Sequence, residues 1–109
     1  MSIVESSYVV TSCLMEGYRH YLIYTRKMTQ LKVQMCVNIV RKFHNYIGKP
    51  YVDVSQDDIQ GYLDFLGEFE LLKYETLSRH LAGIKKFYQY LSYRGEVFKN
   101  PCDGVTIKG

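Results

Sequence analysis

Apolar residues in this chain recur at steps of three and four, the spacing that stacks side chains on one face of an α-helix. Four such blocks are readable, separated by short polar breaks. The first runs from about Glu5 to Arg26, with Val9, Val10, Cys13, Leu14, Tyr18, Tyr21 and Leu22 on one stripe. Gly17 interrupts it at a cost of about 1 kcal/mol relative to alanine. Arg26-Lys27 at its end suit the negative pole of the helix dipole. Thr29 is the expected N-cap of a second helix that reaches about Ile47. Val33, Cys36, Val37, Val40, Phe43, His44 and Ile47 cover one broad side of it; Gln34, Asn38, Arg41, Lys42 and Asn45 cover the other. Gly48 stops this helix and Pro50 prevents its resumption.

Ser55 is placed to cap a third helix, with Asp57 and Asp58 in a first turn where the dipole favours anions. Ile59, Tyr62, Leu63 and Leu66 form its inner stripe, extended by Phe65 and Phe69. The fourth helix spans about Glu75 to Tyr93, with Leu77, Leu81, Ile84, Tyr88 and Leu91 stacked on one side. Arg79, Lys86 and Gln89 fall opposite, with Ala82 and Gly83 between the two cations. A surface with cations at its edges and almost no side chain at its middle can approach a partner closely, and a DNA backbone or groove is the expected one. Gly95 closes the helix and Asn100-Pro101 forces an extended exit. Val52-Asp53-Val54 has the look of a short strand with no partner strand to pair with. The fold class expected is all-α: a small orthogonal four-helix bundle with short loops.

Length limits this chain of 109 residues to one small core. Eleven tyrosines and no tryptophan suit a core closed at its rim by rings whose hydroxyls stay wet. Charge adds more, because it is segregated. Residues 1–50 are net basic, 51–75 net acidic and 76–109 net basic, within a total of only +3. Two basic segments flanking an acidic one point to a polyanionic partner more clearly than the total does.

The chemistry of catalysis is not visible. Asp57 and Asp58 diverge as neighbours on a helix and are explained by its N-terminus. His20, His44 and His80 lie on separate helices; His44 falls on an apolar face, and His80 beside Arg79 suits either the core edge or a phosphate. There is no glycine-rich phosphate loop, nucleophile elbow or metal-binding pattern. Cys13, Cys36 and Cys102 are odd in number and scattered, so neither a disulfide framework nor a zinc site is supported, and free thiols fit a cytoplasmic protein. Cys102 follows Pro101 but has no basic neighbour to make it a nucleophile. No apolar run reaches membrane-spanning length. The remaining signal is the pair of polar faces on helices two and four. Lysine and arginine neutralise phosphates, and glutamine and asparagine reach base edges or phosphates.

Several pieces, taken in order, resemble the N-terminal core-binding domain of tyrosine recombinases, or phage integrases. They are Tyr21-Leu22 followed by Lys27-Met28-Thr29; Val40 to Gly48 with Phe43, Tyr46 and Ile47; Val54-Ser55 to Leu66 with Asp58-Ile59 and Tyr62-Leu63; Thr76 to Leu91; and Asn100-Pro101 with Gly104-Val105 and Lys108. Lys32 stands where that family often has threonine, and Lys73 where it usually has a serine cap. The resemblance implies a SAM-like helical domain over 1–99 and, over 100–109, the start of a linker to a catalytic domain absent from this chain. It implies no catalytic residue here, no cofactor and no small-molecule substrate. The implied partners are double-stranded DNA at a recombination core site and other recombinase subunits in a synaptic complex. The expected DNA-facing residues are Thr29, Gln34, Arg41 and Lys42 around helix two and Arg79, Lys86 and Gln89 on helix four. The alternative is a protein-interaction module, with the acidic third helix and the first helix docking a neighbouring subunit.

Overall fold

In the computed structural model of the protein, residues 3–107 are described, with side chains from Leu14 onward. Four α-helices follow in order, α1 (Ile3–Tyr24), α2 (Gln30–Ile47), α3 (Gln56–Glu68) and α4 (Tyr74–Tyr93). There is no strand among the described residues, so the protein is all-α. The Val9, Val10 and Cys13 part of the expected α1 stripe lies outside the described side chains, as does Lys108. The chain divides into two compact units, residues 1–37 and 38–109, with the division falling inside α2.

In the first unit, Met15, Tyr18 and Leu22 of α1 and Val33, Cys36 and Val37 of α2 are buried. Burial raises the pKa of the Tyr18 hydroxyl, and the adjacent Cys36 thiol adds to the effect. The turn after α1 is closed by Arg26 N–H donating to Tyr21 O (3.1 Å) and Met28 N–H donating to Leu22 O (3.0 Å). Lys27 takes the left-handed conformation there (φ 56°), a place usually held by glycine.

The second unit holds the rest of α2, then α3 and α4. Gly48 ends α2 in the left-handed region (φ 63°), and its N–H reaches His44 O at 3.0 Å. Val52-Asp53, whose alternation resembled a strand without a partner, lie instead in a 3-10 turn, Tyr51–Asp53, with Val54 following it. Pro50, at φ −57°, leads into it, and Asp53 N–H donates back to Pro50 O at 3.0 Å. An isolated strand would leave its amides unpaired, whereas a tight turn satisfies them locally. The turn is pinned from above: the Tyr88 hydroxyl donates to Tyr51 O at 2.9 Å inside the core.

Ser55 caps α3 as expected, and the cap is reciprocal. Asp58 N–H donates to Ser55 Oγ (3.2 Å) and Ser55 N–H to Asp58 Oδ2 (2.9 Å). Lys49 Nζ, 2.8 Å from the same carboxylate, is the main reason the Asp58 pKa is held below its ordinary value, the Ser55 amide adding to it. Ile59, Tyr62, Leu63 and Leu66 of α3 and Leu77, Ile84, Tyr88 and Leu91 of α4 are buried, as their spacing indicates. Phe69 does not extend that stripe. It follows the last helical residue and is 75 % exposed. Lys73 is the N-cap of α4 through its backbone alone: Leu77 N–H donates to its carbonyl, and no side chain completes the cap.

Residues 100–106 fold back onto α3 and α4. Asn100 Nδ2 donates to Lys85 O (3.2 Å), and Cys102 N–H donates to Asn100 Oδ1 (2.9 Å). The Gln60 amide pairs twice with Thr106, donating to its carbonyl at 2.8 Å and accepting its N–H at 3.1 Å. Cys102 is buried there, and burial pushes its thiol up to about 12, so it stays protonated at neutral pH.

Candidate nucleic-acid interface

The polar face of α4 is narrower than its sequence indicates. Gly83 is buried, and a Cβ built on it would lie 2.9 Å from Ile39 Cγ2. The close approach that this glycine permits is therefore made by α2, not left open for DNA. Tyr90 is buried as well, so the covered arc of α4 runs past its apolar stripe, while Leu81 on the other edge is only half-buried. A second helix seated beside the stripe widens what one helix must hide.

Arg79 lies four residues before Gly83 and Lys86 three after it. Seven residues apart, they share a face within about 20°, separated by about 10 Å along the axis. Arg79 is exposed and Lys86 half-buried. Neither makes an ion pair among the described residues. Gln89 is exposed one turn beyond.

On α2, Ile39 seats against Gly83, and Lys42 follows one turn later. Arg41 and Lys42 are both exposed but diverge. Arg41 lies toward the 3-10 turn: burial raises the Tyr51 hydroxyl pKa, and the Arg41 charge acts against that rise. Lys42 lies toward the turn between α3 and α4, where its Nζ is 2.9 Å from Glu70 Oε1. Behind that pair, burial lowers the pKa of half-buried His80, and the Lys42 charge lowers it further. The second unit thus places Lys42, Arg79 and Lys86 around the Ile39–Gly83 contact, with the Arg41 charge felt at Tyr51.

The remaining candidates belong to the first unit. Thr29 is exposed, and its Oγ1 accepts Lys32 N–H at 3.4 Å, the cap expected of it at long range. Gln34 Oε1 accepts a hydrogen bond from Arg19 Nη1 at 2.9 Å. Arg19 was not among the sequence-derived candidates. No motif marks it, and its pairing spans fifteen residues. Glu70 was missed for the same reason: its partner lies 28 residues away.

Among the described residues, no group of three His, Cys, Asp or Glu side chains is arranged to hold a metal ion. No described helix is long and apolar enough to cross a membrane. Charged side chains on packed helices can bind and orient a polyanion, and that is the chemistry this surface offers.

Comparison with known proteins gives this surface its context. The tyrosine recombinase of Thermosipho africanus (strain TCF52B) is 24% identical over 96 residues, covering 84% of this chain and 34% of that protein. The chain therefore spans about a third of the length of this curated relative. No solved structure gives a significant match. The family described as phage integrase, N-terminal SAM-like domain, matches residues 15–95, a stretch running from α1 to the end of α4. The match covers well over half of the chain, and the chain belongs to that family.

Proposed function

We propose that this chain is the DNA-binding module of a site-specific tyrosine recombinase, clamping one face of the recombination site through α2 and α4. The observation that carries the reading is the pair Arg79 and Lys86, on one face of a helix that packs closely on Ile39 at Gly83, both free of ion pairs among the described residues. Lys42 and Arg41 supply further charge, and Gln89 a polar contact. Thr29 and Gln34 would add contacts from the first unit. Catalysis would belong to a separate domain of the parent enzyme. Family membership supports the reading, because recombinases act on duplex DNA as multimers. The test is a titration of amide signals with a short duplex at low and moderate salt. Shifts clustered at 29–42 and 76–90 that fade with salt are expected. Absence of shifts at low salt would refute it.

A second reading has its own observation. Phe69 and Leu71, at the turn between α3 and α4, are 75 % and 78 % exposed, and Tyr74 begins α4 with 56 % exposure. This apolar edge suits contact with another recombinase subunit. That role alone would give concentration-dependent association and no duplex-induced shifts on α2 or α4.

A further inference from the structure

We propose that Glu70 is a built-in competitor of DNA: its carboxylate occupies Lys42 in the free domain and must yield before Lys42 can take a phosphate. The inference rests on the DNA-binding reading above. Its geometry is specific. Lys42 Nζ and Glu70 Oε1 are 2.9 Å apart and join α2 to the turn between α3 and α4. Among Arg41, Lys42, Arg79 and Lys86, only Lys42 is ion-paired among the described residues.

Glu70 does not sit on a loose loop. Phe69 N–H closes onto Phe65 O (2.9 Å), and Leu72 N–H returns to Leu66 O (3.1 Å). Leu71 between them is in the left-handed region at φ 56°. This closure, one residue longer than a Schellman motif, ties down the backbone on both sides of residue 70. On the protein side, the Tyr62 hydroxyl and His80 Nδ1 are buried with no hydrogen-bond partner among the described residues. The negative charge of Glu70 reaches both groups: burial raises the Tyr62 hydroxyl pKa and Glu70 adds to that rise, while at His80 Glu70 opposes the lowering that burial and Lys42 impose. A carboxylate oxygen on a lysine ammonium makes the same charge-assisted contact as a phosphate oxygen. Glu70 therefore stands in for the ligand. The consequence is discrimination: a duplex that places a phosphate on Lys42 displaces Glu70, whereas one held only loosely gains nothing from this lysine.

A double-mutant cycle in the 109-residue chain tests this, with duplex affinity read at fixed low salt. Glu70→Gln should tighten binding by about twofold to fivefold, the range that an exposed ion pair supports. In a Lys42→Met background the same change should have no effect. Glu68→Gln, the same charge change two residues away, should change affinity less than Glu70→Gln. Equal tightening in the Lys42→Met background would overturn the proposal, because Glu70 would then only repel DNA at a distance. Unchanged affinity in Glu70→Gln, with Lys42→Met weakening binding, would overturn the masking and leave the DNA-binding reading intact. If the parent chain binds no duplex at low salt, both fall together.

Discussion

His44 and His80 are half-buried, and each buries its Nδ1 with no hydrogen-bond partner among the described residues. The His44 ring lies tilted at 4.6 Å from the Tyr51 ring, and His80 meets the Tyr62 ring edge-on at 6.4 Å. Burial disfavours the charged ring in both, and at His80 the Lys42 ammonium adds to this, so both pKa values lie below the ordinary 6.5. The sign follows from linkage. Below the ordinary histidine range the unfolded chain takes up protons that the folded chain refuses. Stability is therefore full above about pH 6.5 and falls as pH drops toward the lowered folded values, by at most about 1.4 kcal/mol per pH unit per histidine. Urea unfolding at pH 7.5, 6.5 and 5.5 should show this decline, and His80→Gln should make it shallower. A decline unchanged in that variant would show that His80 does not titrate differently on folding. Asp58 acts in a lower window: its depressed pKa contributes stability that is lost only as pH falls below the ordinary carboxylate range.

Each helix combines a local instruction with a condition imposed by its neighbour. Ser55 and Asp58 close the start of α3 within four residues. Gly83 illustrates the opposite case. In an isolated helix Gly83→Ala would gain about 1 kcal/mol. Here the added methyl lies 2.9 Å from Ile39 Cγ2 and 3.3 Å from Ile39 Cβ, close to the backbone, where it cannot swing aside cheaply. Overpacking of this kind costs about 1–3 kcal/mol and should outweigh the propensity gain. Gly83→Ala should therefore lower the urea midpoint. In an Ile39→Ala background, where Cγ2 and Cδ1 are gone and only Cβ remains at 3.3 Å, the same substitution should cost less than in the parent. A stabilised Gly83→Ala single variant would refute the close contact.

At the scale of the molecule, the charge distribution connects fold to proposed role. The acidic segment 51–75 ends beside basic residues, and the Lys42–Glu70 pair is one place where the opposing charges meet. Affinity for DNA that rests on a few lysines and arginines should fall steeply as salt rises. If Arg79 and Lys86 each neutralise one phosphate, replacing both with alanine should reduce the slope of log affinity against log salt by about two. An unchanged slope would remove these two residues from the interface. The loss should be of the same size for unrelated duplex sequences, because phosphate contacts carry no sequence information.

Sequence alone determined the four helices, most of their ends and the family. Periodicity, a serine cap followed by aspartate, and glycines at helix ends are local signals, read within a few residues of where they act. It also determined which side chains are charged and on which side of each helix they lie. Tertiary structure alone decided what Gly83 faces, because one helix's pattern does not say which second helix will lie beside it. The same holds for Tyr51–Asp53, where alternation suggested a strand but no strand was available to pair, so the backbone bonded to itself. It holds for the candidate interface too. Arg41 and Lys42 are neighbours in sequence, yet the charge of one is felt at Tyr51 and the other pairs with Glu70, and the pairs Arg19–Gln34 and Lys42–Glu70 join residues that no local rule connects. Such pairs form because chain folding brings distant charges within reach, and the energy of a contact depends on distance in space rather than on distance along the chain.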